Sequence, residues 1–426
     1  MRKLTLLMLA VSAPCLAEVR TMTLKEAVDI ALRQNPDLVM SRLDEQKSDL
    51  NVRIAKDPFV PRVVVGSGLA YSSGFPMSIE GSSPAVFTAQ AIGTVYNKSK
   101  SYSLAQAREE ARGAHLETTA KREDIALRTA NLFLNAEKAA RAVQIARRQV
   151  ESLQKVVEEV AARVKEGRTL EMELRRAQLS LAIARQRVEV LETEESFAEN
   201  SLAVLLGMQP ADRVHAADES RGAPVMPIDE EEAVSGALQT NRELRRLESV
   251  IAAKILEAKA NRADRLPTVD LVAQYGLFAK FNHYEEFFQK FQRNNGQLGV
   301  SFRVPLYASH AATARAAQGD LEVARLRLEV QNTRNRISLD TRRSFQEVKK
   351  AETAADVARL ALEVARDQVS VMLARMEEGR ATMRQVEEAR FEENERWIEW
   401  LDGRYALERA RYALLRESGD LVVALR

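Results

Sequence analysis

The chain carries one sequence pattern twice, so it is restricted to folds that repeat a single unit. The first copy opens at Thr23 and the second at Asp229, and the same number of positions separates the matching residues that follow each start. Residues 166–168, with the sequence Glu-Gly-Arg, return at 378–380 with a slightly longer offset. Two repeats are therefore expected, at residues 18–227 and 228–426.

The order of elements predicted for each repeat is a helix, a β-hairpin, a very long helix, a tight turn and a long return helix. Thr23 with Glu26, and Asp229 with Glu232, have the spacing of a helix-capping pair. In the long helix of the first repeat, apolar residues recur every three or four positions over residues 132–164. The second repeat shows the same spacing. This pattern is typical of a coiled-coil seam.

Glycine and proline are scarce, with 17 and 11 occurrences among 426 residues. The two together normally make up about 12% of a protein. A chain so poor in turn-forming residues does not suit a loop-rich or all-β fold. Its 46% hydrophobic and 29% charged shares do not suit a disordered one. The predicted fold class is mainly α, with a small β contribution from the hairpins.

Each repeat has segments in which apolar residues alternate with small or polar ones, as in a half-buried strand. Strands are predicted at about residues 61–73, 86–97, 267–279 and 297–307. The second of these segments alternates poorly, so its facing is ambiguous. One apolar face is expected to contact lipid, and it is formed by Val63, Val65, Leu69, Tyr71, Val269, Leu271, Tyr275 and Leu277.

Four strands are too few to close a barrel, and an isolated hairpin is barely stable. One protomer therefore cannot bury its own apolar strand faces and helix seams. Assembly of several copies into a membrane β-barrel, with lipid outside and water inside, would bury both. The expected architecture is a small β-barrel shared between copies and continued by long helices.

Residues 1–17 have the layout of a secretory signal peptide. Arg2 and Lys3 form the basic end, an apolar run follows, and residues 15–17 resemble a cleavage site. A short N-terminal helix is the alternative. The residues that precede Cys15 argue against lipid attachment. We therefore expect the protein to be exported from the cytoplasm.

The sequence offers no chemistry for catalysis, cofactors, metals or nucleic acid. Its formal charge is only +2, which gives no basic footprint for a nucleic acid. The 4 histidines are scattered, and none lies in a metal-ligand motif. Phosphate-binding loops and serine-nucleophile motifs are also absent from the sequence. We expect a protein that is not an enzyme and that holds no cofactor.

Taken in order, these features resemble the outer membrane factor family, the TolC-like channels of efflux and secretion. The resemblance rests on the motif Ala-Leu-x-x-Asn, which ends at Asn35 in the first repeat and at Asn241 in the second. It rests also on the proline before each hairpin, Pro61 and Pro267, and on the strand exit Val-Pro-Leu-Tyr at residues 304–307. No single motif is specific, but their order recurs in both repeats.

The resemblance implies a homotrimer in the outer membrane of a Gram-negative-type cell. Its twelve-stranded barrel would take four strands from each protomer, and its helices would form a periplasmic tunnel. The turns at about 166–172 and 378–384 would gate the tunnel and dock a periplasmic adaptor that is joined to an inner-membrane pump. The residues that the resemblance places at these tips are Gly167, Arg168, Thr169, Glu173, Arg176, Gly379, Arg380, Thr382, Gln385 and Glu388.

Members of the family usually carry two acids after the second tip glycine, where this chain has Gln385 and Glu388. The glutamine argues against a strongly acidic, cation-binding gate. The alternative function is a periplasmic coiled-coil scaffold or adaptor, which explains the heptads but not the two hairpins. A high-salt wash would release a scaffold and leave a channel in the membrane. The predicted function is a passive export channel of a tripartite efflux or type I secretion complex.

Overall fold

The computed structural model describes residues 19–68, 85–209, 211–219, 221–278, 292–305 and 310–425. The helices are α1 (Leu24–Gln34), α2 (Pro36–Lys56), α3 (Lys98–Lys165), α4 (Glu171–Leu205), α5 (Glu230–Thr240), α6 (Arg242–Ala263), α7 (His310–Glu377), α8 (Met383–Ser418) and α9 (Leu421–Ala424). The strands are β1 (Val19–Met22), β2 (Arg62–Gly68), β3 (Ala85–Asn97), β4 (Arg213–Ala216), β5 (Thr268–Phe278) and β6 (Asn294–Arg303). The prediction of a mainly α chain with a few strands is confirmed. The predicted signal peptide lies outside the described residues.

Both repeats begin with the helix caps that the sequence indicates. The Glu26 amide donates to Thr23 Oγ1 at 3.3 Å, and the Thr23 amide donates to Glu26 Oε2 at 2.9 Å. In the second repeat the Glu232 amide donates to Asp229 Oδ1 at 2.7 Å. Each cap satisfies an amide that the first helical turn leaves without a partner.

The first helix of each repeat is broken at the asparagine that ends the repeated motif Ala-Leu-x-x-Asn. Asn35 and Asn241 both have φ −56°, with ψ 126° and 123°. Asn35 Oδ1 accepts from the Leu38 amide at 3.2 Å and so caps α2, while Asn35 Nδ2 donates to the Leu205 carbonyl at 2.8 Å. The sequence pattern alone predicts one continuous helix in each repeat, to about residue 56 and residue 264, with a kink near Pro36 in the first. The asparagine rather than the proline explains why both repeats break.

Four antiparallel strands form one sheet in the order β2-β3-β5-β6. The hairpin of the first repeat is thus joined to the hairpin of the second through β3 and β5. The first strand was predicted at 61–73, of which β2 covers the part up to Gly68, and residues 69–73 lie outside the described residues. The fourth was predicted at 297–307 but spans Asn294–Arg303. Its bounds follow its partner β5, which pairs from Leu277 with Asn294 to Thr268 with Arg303.

A second, smaller sheet joins β1 and β4 in parallel. The sequence analysis did not predict it. Each strand has only 4 residues, which is too short for an alternating pattern to stand out. Val214 and Ala216 of β4 are buried in the core, so the pair ties the start of the chain to the segment that follows α4.

The chain divides into two compact units, which comprise Met1–Met40, Ala120–Asn241 and Arg336–Arg426, and Ser41–Thr119 and Arg242–Asn335. In the first unit, large side chains such as Phe133, Leu202 and Tyr405 are fully buried. The second unit contains the four-stranded sheet. In it α6 and α7 lie close together, since a Cβ on Gly319 would lie 2.9 Å from the Cβ of Ala258. Among the described residues, no helix combines the length and apolar character of a membrane span.

Candidate functional site

Both long helices end at a glycine in the left-handed region of φ. Gly167 has φ 72° and Gly379 has φ 71°, which a residue with a Cβ adopts only with strain. The amide after each glycine closes the helix by donating to a carbonyl five residues earlier, at 2.9 Å for Arg168 and 2.8 Å for Arg380. This is the Schellman arrangement of a helix end. The two tip turns therefore have the same backbone.

The return helices begin in different ways. At the start of α8, the Gln385 amide donates to the carbonyl of Thr382, and the Thr382 amide donates to Gln385 Oε1 at 2.9 Å. At the start of α4, Leu170 occupies the cap and has no side chain that can accept. Gln385 therefore acts as a capping residue, which the sequence analysis did not expect of it. Its role in a gate remains a prediction.

A groove of about 1240 Å³ lies between the two tip turns, and we call it the tip groove. Both repeats contribute to it, with α3 and α4 on one side and α7 and α8 on the other. Six of the ten predicted tip residues line it, namely Thr169, Glu173, Arg176, Gly379, Thr382 and Glu388. The other four predicted residues, Gly167, Arg168, Arg380 and Gln385, do not line it.

Carboxylates of the tip groove are paired with arginines of their own helix. Glu173 accepts from Arg176 at 3.1 Å, and Glu388 lies 3.7 Å from Arg384. Exposed pairs of this kind contribute at most about 1 kcal/mol. Either ion pair could therefore be broken at little cost.

Glu387 lines the tip groove but is not among the predicted tip residues, because the adjacent acids Glu387 and Glu388 alone favour a solvated helix face. Glu388 is exposed as expected, but Glu387 is half-buried. Burial raises the pKa of Glu387, and the negative charge of Glu173 raises it further, while Arg390 opposes the shift. The sequence gives only a weak sign that Glu387 is half-buried, namely that it follows the apolar residue Val386, which is buried. Such positions are common on any coiled coil.

One face of the four-stranded sheet is apolar. Residues directly opposite in an antiparallel pair share a face. The pairing places Val63, Ala91, Ala273 and Leu298 in one row, and a further row contains Leu271 and Val300. All the described members of the predicted lipid-facing set lie on this apolar face, namely Val63, Val65, Val269, Leu271, Tyr275 and Leu277. Leu69 and Tyr71 lie outside the described residues.

The opposite face, which we call the polar face, carries the polar side chains of the sheet together with some apolar ones. One row across it contains Val64, Gln90, Gln274 and Gln297. Another contains Thr94 and Asp270, whose side chains are joined by a hydrogen bond of 2.8 Å from Thr94 Oγ1 to Asp270 Oδ1. The sheet therefore has one apolar face and one face on which its polar groups are concentrated.

Strand β3 alternates poorly in sequence because it contains two irregularities. Its register shifts between Ala85 and Phe87 and again between Thr94 and Tyr96. Each shift leaves an extra residue that reverses the phase of the alternation. Phe87 and Tyr96 therefore share the apolar face, although one is odd-numbered and the other even-numbered.

Several helices carry apolar residues seven positions apart that remain exposed. On α4 the series is Ile183, Val190, Phe197 and Val204, each at least half exposed. On α7 it includes Val357, Val364 and Val371. Exposed seams of this regularity indicate a helical partner, because a heptad seam is buried only by another helix. Among the described residues, β2 and β6 are also the free edges of their sheet.

Solved structures share this fold. CusC aligns with a TM-score of 0.76 at 14% identity, over 93% of this chain and 92% of its own. The outer membrane protein VceC of Vibrio cholerae aligns at 0.73 and 16%, over 93% of this chain and 96% of its own. The CmeC outer membrane channel of Campylobacter jejuni aligns at 0.73 and 13%, over 93% and 86%. A comparison with curated proteins finds no match.

The family model described as outer membrane efflux protein matches the chain twice, at residues 27–208 and 233–420. The two matches coincide with the two copies found in the sequence. Together they cover most of the chain, and both tip turns lie within them. The chain therefore belongs to the outer membrane efflux protein family, the TolC-like export channels.

Proposed function

We propose that the chain is one protomer of a homotrimeric export channel in the outer membrane. The observation that carries this proposal is a sheet with one apolar face, one polar face and two free edges. Four strands do not close on themselves, but the strands of three copies make a closed sheet of twelve. The free edges of β2 and β6 would then pair between neighbouring protomers.

The exposed helix seams support the same assembly. A monomer would leave Phe197 and Val190 of α4 in water at 75% and 53% exposure. Burying such side chains is worth about 1.5–3 kcal/mol each. Copies of the chain supply the complementary seams, since α7 carries a matching series. Oligomerisation would therefore bury a large apolar area that a single chain leaves exposed to water.

Water would occupy the space enclosed by the polar face of the sheet. The glutamine row at Gln90, Gln274 and Gln297 offers uncharged donors and acceptors rather than a fixed charge. Such a lining favours passage of varied solutes over selection of one ion. We infer a passive conduit that performs no catalysis.

The tip groove would receive the helical hairpin of a periplasmic adaptor, itself joined to an inner-membrane pump. It offers carboxylates and arginines at its rim, with apolar Met383 and Phe391 among its lining residues. A coiled-coil partner needs this combination of an apolar seam flanked by charges. The complex would serve efflux or type I secretion, and the partner pump would determine the cargo.

Strand β5 provides the sharpest test, because Leu271 and Gln274 lie close together on it but on opposite faces of the sheet. Leu271→Arg would place a charge on the lipid face, at about 2–4 kcal/mol for a charge in mid-membrane. Gln274→Arg would place the same charge on the water face and serves as the matched control. We expect the first variant to lose the trimer, measured by crosslinking in outer-membrane fractions, and the second to keep it together with single-channel conductance.

Equal tolerance of the two variants would contradict the proposed facing. A wild-type protein that is monomeric in detergent and does not conduct in planar lipid would overturn the channel itself. Release of the wild type from membranes by a high-salt wash would favour the coiled-coil scaffold.

A further inference from the structure

Two carboxylates and an imidazole meet outside the tip groove and the sheet. Glu195 and Glu199 lie on α4, and His215 lies on β4. One ligand atom of each residue lies within 4.8 Å of the corresponding atoms of the other two. The proposed channel function uses none of these three residues.

Local structure explains why the three side chains converge. Glu195 and Glu199 are four residues apart, so they lie on the same face of α4, one turn from each other. Val214 and Ala216 of β4 are buried, and His215 lies between them on the other side of the strand. The pairing of His215 with Thr21 of β1 holds the strand in this register.

The imidazole is directed at the more buried of the two acids. His215 Nδ1 lies 2.8 Å from Glu199 Oε1. Glu199 is only 6% exposed, so this carboxylate is held in place rather than solvated. A nitrogen ligand and a buried carboxylate oxygen are thus already in contact, with a second carboxylate beside them.

Two arginines near the acids bond mainly to other groups. The Arg147 guanidinium is bound to Glu192 at 2.6 Å. Arg213 lies 4.0 Å from Glu199, beyond hydrogen-bond distance, and donates to Ser196. A dication would supply the missing positive charge.

We propose that Glu195, Glu199 and His215 bind a divalent transition-metal ion of the Zn²⁺ class. One imidazole with two carboxylates suits Zn²⁺ better than Mg²⁺, which takes oxygen ligands only and keeps several waters. Three protein ligands leave further positions to water. The ion would fasten β4 to α4, and through β4 would fasten β1.

Zinc binding by the full-length protein in detergent tests the proposal. Metal-free wild type titrated with Zn²⁺ in a calorimeter should bind one ion per chain. Glu195→Gln and His215→Asn should each weaken binding by about 100-fold, since loss of even an outer-shell partner costs about 10–100-fold. Zn²⁺ should raise the Tm of the wild type, because an ion that binds only the folded state stabilises it, and Mg²⁺ should not.

The pair His115 and Glu45 provides a matched control. Its contact of 2.7 Å resembles that of His215 with Glu199, but no third metal-ligating side chain joins it among the described residues. His115→Asn should leave Zn²⁺ binding unchanged. Glu195→Gln keeps the shape of the side chain, so its Zn²⁺ affinity still tests the site if His215→Asn fails to fold.

Two signs distinguish a metal site from an ordinary ion pair. Without metal, Glu195→Gln should unfold at the same temperature as wild type or a higher one, because it removes a repulsive charge. With Zn²⁺ the wild type should unfold at a higher temperature than Glu195→Gln. Absence of Zn²⁺ binding in the wild type, unchanged binding in the two site variants, or an equal loss in His115→Asn would each overturn the proposal. None of these readouts depends on channel conductance.

Discussion

The tip turns of the two repeats have the same backbone but differ in their side chains. Both end the outgoing helix with a left-handed glycine and the same amide closure. The second turn then starts its return helix with Gln385 Oε1 accepting from the amide and the hydroxyl of Thr382, a cap that the first turn lacks. The position of half-buried Glu387 corresponds to that of Arg175, so the charge there is reversed. Duplication has preserved the residue that the backbone requires and allowed the surrounding chemistry to diverge.

The largest expected effect tests what the turns share. Gly167→Ala and Gly379→Ala each force a Cβ into the left-handed region, which costs about 1–2 kcal/mol. Neither position has any atom within 4 Å of the new Cβ, so backbone strain is the only cost. Thermal unfolding should show similar losses for the two variants. A large difference between them would mean that the two turns are not equivalent in backbone strain.

The next effect tests where the turns differ. Thr382→Ala removes the hydroxyl that donates to Gln385 Oε1 at 3.1 Å and should cost about 1 kcal/mol. Thr169→Ala changes the threonine of the other turn, which has no side-chain cap, so it is the control and should cost little. Hydrogen exchange of the first turns of α8 and α4 would measure both. Equal loss of protection in the two turns would show that the cap does not distinguish them.

A smaller effect concerns pH. The raised pKa of Glu387 means that the folded tip favours its protonated form. The resulting stabilisation is present below the ordinary pKa of a glutamate and is lost as pH rises through the raised value. Protection of the α8 tip, corrected for intrinsic exchange rates, should therefore fall over that range. Glu387→Gln should abolish the fall, whereas Arg175→Gln at the matching position of α4 should leave it in place.

The smallest effect concerns ions in the channel. Gln385 and Glu173 occupy matching positions, so Gln385→Asp and Glu173→Gln change the tip charge in opposite directions. If both positions face the ion path, block of single-channel current by divalent cations should increase in the first variant and decrease in the second. Current that is unaffected by either change would show that these positions lie away from the constriction.

Features set by neighbouring residues could be predicted from the sequence. The capping pairs and the glycine turns need only a few adjacent residues, and the structure contains them. The coiled-coil seam is equally local, and its member Val143 on α3 is buried. The apolar set on β5 was also predictable, because that strand alternates without interruption.

Features that depend on distant partners could not be predicted. The helix break at Asn35 is held by the carbonyl of Leu205, which is 170 residues away in sequence. The short β1 and β4 strands form only because they meet each other. The pKa of Glu387 on α8 is raised in part by Glu173, which lies on α4, so this proximity depends on how the two helices pack. The sequence shows such residues but not their proximity.

The two bulges of β3 have a consequence for how the sheet is assembled. A uniformly alternating strand can slide by two residues and still turn the same side chains outward. In β3 the facing depends on its bulges instead, because a pairing that lost the bulge between Thr94 and Tyr96 would place Phe87 and Tyr96 on opposite faces of the sheet. Alignments of the two hairpins that omit this bulge would therefore turn one aromatic ring to the polar face.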